Sequence, residues 1–156
     1  ITMKEAKKLL AIKKILSEKD GDLSTEEERV LGEIIKEKFK HDFVFVTDFP
    51  IEYRPFYHMR YKDRPTITKS FDLIYKGIEI TTGAIREHRI SVLEKQAIEK
   101  EMELDKLEKY LDFFRYGCPP HGGCGIGPAR IIMKIKDLES VKEVTFLPRD
   151  VDRLSP

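Results

Sequence analysis

Ser70-Phe71-Asp72-Leu73-Ile74-Tyr75-Lys76-Gly77-Ile78-Glu79-Ile80-Thr81-Thr82-Gly83 is two β-rich runs on either side of a two-residue turn at Lys76-Gly77. With that turn, Tyr75 faces Ile78, Ile74 faces Glu79 and Asp72 faces Thr81. Alternation along each strand then puts Asp72, Ile74, Glu79 and Thr81 on one face of an antiparallel hairpin. Asp72 and Glu79 become diagonal neighbours, about 7–8 Å apart at their Cα atoms. Two carboxylates aimed at one place suit a hard cation such as Mg²⁺, which takes oxygen ligands and keeps waters for its remaining positions. The plain alternative is two solvated acids on an exposed sheet face. Gly83 is expected to open room at the strand end, and Arg86 reads as either a surface arginine or a bidentate clamp for a carboxylate.

A second stretch, Tyr116-Gly117-Cys118-Pro119-Pro120-His121-Gly122-Gly123-Cys124-Gly125-Ile126-Gly127-Pro128-Ala129-Arg130, holds five of the nine glycines. So bare a backbone lets a ligand lie close, although a loop that merely turns the chain has the same look. Pro128 suits the first turn of a following helix, whose free N–H groups favour an anion, and Arg130 adds a planar cation there. Cys118 and Cys124, with five residues between them in one small loop, match neither a zinc ligand pair nor a disulfide framework and read as small apolar wall residues.

The 156 residues suffice for one core, and a formal charge of +1 with 37% charged residues of mixed sign gives no basic field for nucleic acid. No apolar run is long enough to span a membrane and no export leader is visible, so a cytoplasmic protein is expected.

Thr2 and Glu5, then Ser24 and Glu27, have capping-box spacing. They predict a helix burying Ala6, Leu9, Leu10, Ile12 and Ile15, and a second burying Val30, Leu31, Ile34, Ile35 and Phe39. Phe43 to Val46 reads as a strand covered on both faces. Pro50, Pro55 and Pro65 keep the following stretch irregular, with its aromatics pointing into a cleft or a core. Ile90 to Phe114 is helical with a break near Met102, a cap at Asp105 and a stop at Gly117. Ile131, Ile132, Ile135 and Leu138 predict the buried face of a last helix, and Val144 to Pro148 a last strand. The class expected is α+β, an antiparallel sheet carrying the site with helices packed against it.

Phe71-Asp72, Gly77 to Arg86, Tyr116 to Gly123 and Gly125 to Arg130 together resemble the end of a class II aminoacyl-tRNA synthetase catalytic domain, of the archaeal and eukaryotic aspartyl type. The tail Phe146 to Asp150 and Leu154-Ser155-Pro156 resembles that family's C-terminus. The resemblance implies an incomplete class II sheet, with residues 1–156 as the C-terminal portion of the catalytic domain, 1–42 helical and 43–156 carrying the site. It implies Mg²⁺ held by Asp72, Glu79 and Thr82; ATP bound by Glu79, Gly127 and Arg130; and aspartate read by Arg86 beside Gly83, with Arg86 and Arg130 as the catalytic arginines. Thr82 stands where serine is usual, Pro128 replaces a common leucine, and Ile85 replaces a usual glutamine.

The implied reaction is attack of the aspartate carboxylate on the α-phosphate of ATP, then transfer of the aspartyl group to the 3′ end of tRNA. Such a displacement needs positioning and charge neutralisation more than a protein acid or base. The parent enzyme is expected to be a homodimer that meets tRNA mainly through regions upstream of Ile1. The 156-residue chain alone is expected to bind ATP weakly, not to aminoacylate, and to expose apolar surface. The alternatives are an asparagine-specific or amide-forming relative, against which Arg86 argues, and a non-catalytic nucleotide-binding module.

Overall fold

The structure, a computed structural model, describes residues 1–151 except Leu16 and Glu18; the expected tail Leu154-Ser155-Pro156 lies outside them. Both capping boxes form as expected: Thr2 starts α1 (Met3–Ile12) and Ser24 starts α2 (Thr25–Phe39). Lys40, in the left-handed conformation, stops α2. Ile12 and Phe39, expected in the buried stripes, are exposed at the helix ends.

The sheet is antiparallel in the order β1-β2-β3-β4, built from β1 (Phe43–Thr47), β2 (Ser70–Tyr75), β3 (Ile78–Arg86) and β4 (His121–Ile126). With α1 and α2 packed against it, the architecture is α+β. Val44, Val46 and Ile74 meet Ala6, Leu10, Leu31 and Ile35 in the main core.

Gly32 makes the close seat of α2 on the hairpin possible. A Cβ there would lie 2.6 Å from the Gly77 nitrogen, so any side chain would push the helix off the β2–β3 turn. Gly77 itself has φ +76°, which suits glycine.

β1 corrects the expectation of a strand covered on both faces. It is an edge strand, with Val44 and Val46 buried against the helices and Phe43 and Phe45 half exposed on the other side. Its apolar run reflects two different surfaces rather than one enclosed strand.

A second core joins Phe56, Leu93, Ala97, Leu111 and Phe114. It is built on α3 (Ile90–Glu99) and α4 (Glu108–Arg115). Phe56 therefore points into a core rather than a cleft. The break near Met102 is present, but Asp105 does not cap α4: it lies inside a 3₁₀ turn, Leu104–Leu107, that leads directly into that helix. Gly117, φ +101°, follows α4 as expected.

α5 (Pro128–Ile135) buries only Met133, and Ile132 and Ile135 face outward, so the predicted buried face is open. Val144 to Pro148 is not a strand: a 3₁₀ turn, Val141–Val144, occupies its start. Among the described residues no helix is long and apolar enough to cross a membrane.

Candidate active site

The hairpin turns at Lys76-Gly77 with Tyr75 opposite Ile78 and Ile74 opposite Glu79, as expected, but the register then shifts. Leu73 pairs with Thr81 and Asp72 with Thr82, leaving Ile80 as an extra residue bulged out of the ladder. In an unbroken hairpin the Asp72 face would carry Glu79, Thr81, Gly83 and Ile85. The bulge corrects this: Glu79 is followed on that face by Thr82, Ala84 and Arg86. One irregular residue thus gathers Asp72, Glu79, Thr82 and Arg86 on one side of the sheet, next to the helices that cover Val44, Val46 and Ile74.

The acids on this face are not equivalent. Arg54, from the proline-rich stretch, donates from Nη2 to Asp72 Oδ2 at 2.5 Å and from Nη1 to Thr82 Oγ1 at 3.2 Å. Its guanidinium lies 3.5 Å from the centre of the Phe49 ring. Asp72 Oδ1 is buried without a hydrogen-bond partner among the described residues. Glu79 is more open, and burial, then the charge of Asp72, pushes its carboxyl above the usual range, with Arg130 acting against them. Glu28 of α2 accepts the Glu79 N–H at 2.9 Å, and burial pushes its own carboxyl up to about 7.

The run Gly122 to Gly125 is strand rather than the expected loop, paired along β3 from Thr81 opposite Ile126 to Arg86 opposite His121. Gly123 and Gly125 lie across from Ala84 and Thr82, on the site face. A Cβ on Gly123 would come within 3.3 Å of the Arg86 guanidinium, whereas one on Gly125 would meet open space. The glycines keep the floor beside Arg86 bare. Arg86 stacks its guanidinium 4.4 Å from the Tyr57 ring centre and makes no ion pair among the described residues.

Behind Arg86, His58 is buried with Nδ1 unpartnered among the described residues, and burial, then the charges of Arg86 and Arg54, lower its pKa to about 4. Gln96 of α3 fixes this segment by donating to the carbonyls of Phe56 and His58.

β4 ends where the Gly127 N–H donates to the Ile80 carbonyl at 2.8 Å, and α5 begins there with Pro128 in its first turn. Arg130 donates from Nη1 to the Glu79 carbonyl at 2.7 Å, and the same atom lies 3.6 Å from Glu79 Oε1. Gly83 does not open the room expected of it. A Cβ there would lie 2.7 Å from the Phe71 ring and 2.8 Å from the Cys124 side chain, so the glycine lets the two strands' side chains close over it on the opposite face. Both cysteines are free; Cys118 packs beside the second core, and Cys124 is exposed. An open cleft of about 700 Å³, lined in part by Phe71, Ile85 and Cys124, also lies toward that opposite face and away from the carboxylates.

Among the described residues no three His, Cys, Asp or Glu side chains converge as a metal cage. The carboxylate of Glu79 and the unpartnered Asp72 Oδ1 nonetheless suit a cation that brings phosphate oxygens and waters of its own.

Arg54 and Glu28 were not singled out by sequence. Arg54 could have been sought as the cation that a buried Asp72 requires. Glu28, hidden among three consecutive glutamates, stands three residues before Leu31 and seven before Ile35, on the buried stripe of α2 rather than its wet side.

A family model described as tRNA synthetases class II (D, K and N) matches residues 1–151, and the chain belongs to that family. It is 45% identical over 149 residues to an aspartate–tRNA(Asp/Asn) ligase of Aeropyrum pernix, covering 91% of this chain and 34% of that protein. Among solved structures it resembles an aspartyl-tRNA synthetase of Entamoeba histolytica, with a TM-score of 0.93 and 41% identity over all of this chain and 32% of that one. An asparaginyl-tRNA synthetase of Pyrococcus horikoshii, solved with asparaginyl-adenylate, is more distant: TM-score 0.88 and 30% identity, over 99% of this chain and 35% of that one. The chain thus spans about a third of the length of these relatives.

Proposed function

We propose that this chain is the C-terminal portion of the catalytic domain of an aspartate–tRNA ligase, residues 1–42 being its helical segment and 43–156 carrying most of the site. The observation that carries the reading is Arg86: a planar cation without an acidic partner among the described residues, backed by Tyr57 and set beside a glycine floor. Such a fork suits a substrate carboxylate, and an amide would leave its charge uncompensated.

Aspartate, held through its side chain at Arg86, would present its α-carboxylate to the α-phosphate of ATP. The new carboxyl–phosphate bond forms as the bond to pyrophosphate breaks. Arg130 and the start of α5 at Gly127 would hold the nucleotide, the arginine against the base or the phosphate chain. Glu79, with Asp72 and Thr82 beside it, would hold Mg²⁺, which when bound neutralises phosphate charge. Asp72 contributes through its free Oδ1, since Arg54 occupies the other oxygen. Gly83 shapes the strand pairing beside the amino acid rather than touching it.

In the full-length protein, a cytoplasmic homodimer on this reading, transfer to tRNA would follow, with most tRNA contacts outside this chain. Amino-acid-dependent ATP–pyrophosphate exchange by that protein tests the proposal. Exchange with aspartate alone is expected; exchange with asparagine would point to the amide-specific relatives, and exchange with neither to a non-catalytic module.

A further inference from the structure

Glu79 sits where the ladder has run out. β4 turns away after Ile126, which pairs with Thr81, so beyond that point no strand among the described residues lies on the outer side of β3. The exposed peptide groups are taken up one by one: the Ile80 carbonyl by the Gly127 N–H, the Glu79 carbonyl by Arg130, and the Glu79 N–H by Glu28. Water could satisfy that N–H. Instead the chain spends a half-buried carboxylate on it, next to Glu79 and near Asp72, where like charges repel. A costly group in a role that water could fill points to geometry as its purpose.

We propose that Glu28 is a positioning residue for the Glu79 carboxylate, gripping one end of residue 79 from α2 while Arg130 grips the other from α5. The inference rests on the proposed role of Glu79 in holding a divalent cation with ATP. Its structural basis is the Gly32–Gly77 approach, which seats α2 on the hairpin, and the capping box at Ser24, which fixes where the helix starts and therefore where Glu28 points. Because a hydrogen bond at a set distance is what matters, an amide of the same length should serve, and a shorter acid should not.

The test uses the full-length protein with Glu28→Ala, Glu28→Asp and Glu28→Gln, and with Glu33→Gln, on the exposed Arg29 ion pair, as control. Two quantities are read: Mn²⁺ bound in the presence of ATP, by electron paramagnetic resonance, and the Mg²⁺ concentration for half-maximal aspartate-dependent exchange. Ala and Asp are expected to weaken both by roughly tenfold, the scale seen when a group supporting a metal ligand is lost. Gln and the control should stay within about twofold, and the KM for aspartate should not move in any of them. Unchanged metal dependence in Ala and Asp would overturn the inference, as would Gln failing as badly as they do, or aspartate and metal weakening together. If Ala does not fold, the contrast between Asp and Gln decides. Absence of aspartate-dependent exchange in the unsubstituted protein would sink the proposed function, while Mn²⁺ binding would still report on Glu28.

Discussion

Arg54 and Asp72 form an ion pair of 2.5 Å in which each side chain is only 10% exposed, and Arg54 joins Thr82 to the same pair. A pair this deep is not a measure of stability in itself, since both charges lose water, but breaking it from one side strands the other. Arg54→Met should therefore cost about 3–5 kcal/mol in urea unfolding. Adding Asp72→Asn should recover part of that loss. Strictly additive losses would show that the two groups do not act as a pair.

The buried His58 makes stability depend on pH. Its pKa falls from 6.5 unfolded to about 4 folded, so between those values the unfolded chain holds a proton that the folded chain does not. Its contribution is complete above pH 6.5 and is lost as pH falls toward 4, by about 3 kcal/mol at most. His58→Leu should flatten the melting temperature across that window relative to the unsubstituted protein. A curve as steep as before would assign the acid loss to other groups.

Glycine to alanine in a helix ordinarily gains about 0.5–1 kcal/mol. Gly32→Ala should reverse that sign, because its Cβ meets the Gly77 backbone, which cannot swing aside as a side chain can. A loss above about 1 kcal/mol in thermal unfolding is expected. A gain would mean that α2 does not sit on the turn as closely as described.

Arg86→Lys keeps the charge but loses the fork and the stacking on Tyr57. On the proposed function, aspartate-dependent exchange by the full-length protein should fall by about 10- to 100-fold, chiefly through the KM for aspartate, with the KM for ATP little changed. Equal loss for both substrates would place Arg86 elsewhere in the reaction.

The local rules were legible. Thr2 with Glu5 and Ser24 with Glu27 announce two helix starts, and Lys76-Gly77 announces the turn. The bulge at Ile80 was not, because nothing in an alternating run marks the residue that will be skipped. Its partners lie far away in sequence, where Gly127 claims the Ile80 carbonyl and Arg130 that of Glu79. For the same reason His121 to Ile126 could not be read as a strand: glycine carries no β signal of its own, and pairing with β3 supplies it. Of the site residues named from the family resemblance, Asp72, Glu79, Thr82 and Arg86 share one face and Gly83 lies on the other, while Arg54 and Glu28 speak only through contacts that span 18 and 51 residues.

The bulge also gives β3 one residue of slack. Removing Ile80 would straighten the ladder while leaving Asp72 opposite Thr82 and Arg86 on its present side. Removing Thr82 could be absorbed in the same way, with Thr81 sliding into its place and bringing an identical hydroxyl. An inserted residue finds no such reserve and would turn every later side chain over, Arg86 among them. The strand is in this sense a ratchet: its length can shorten by one residue with the face kept, and cannot lengthen by one.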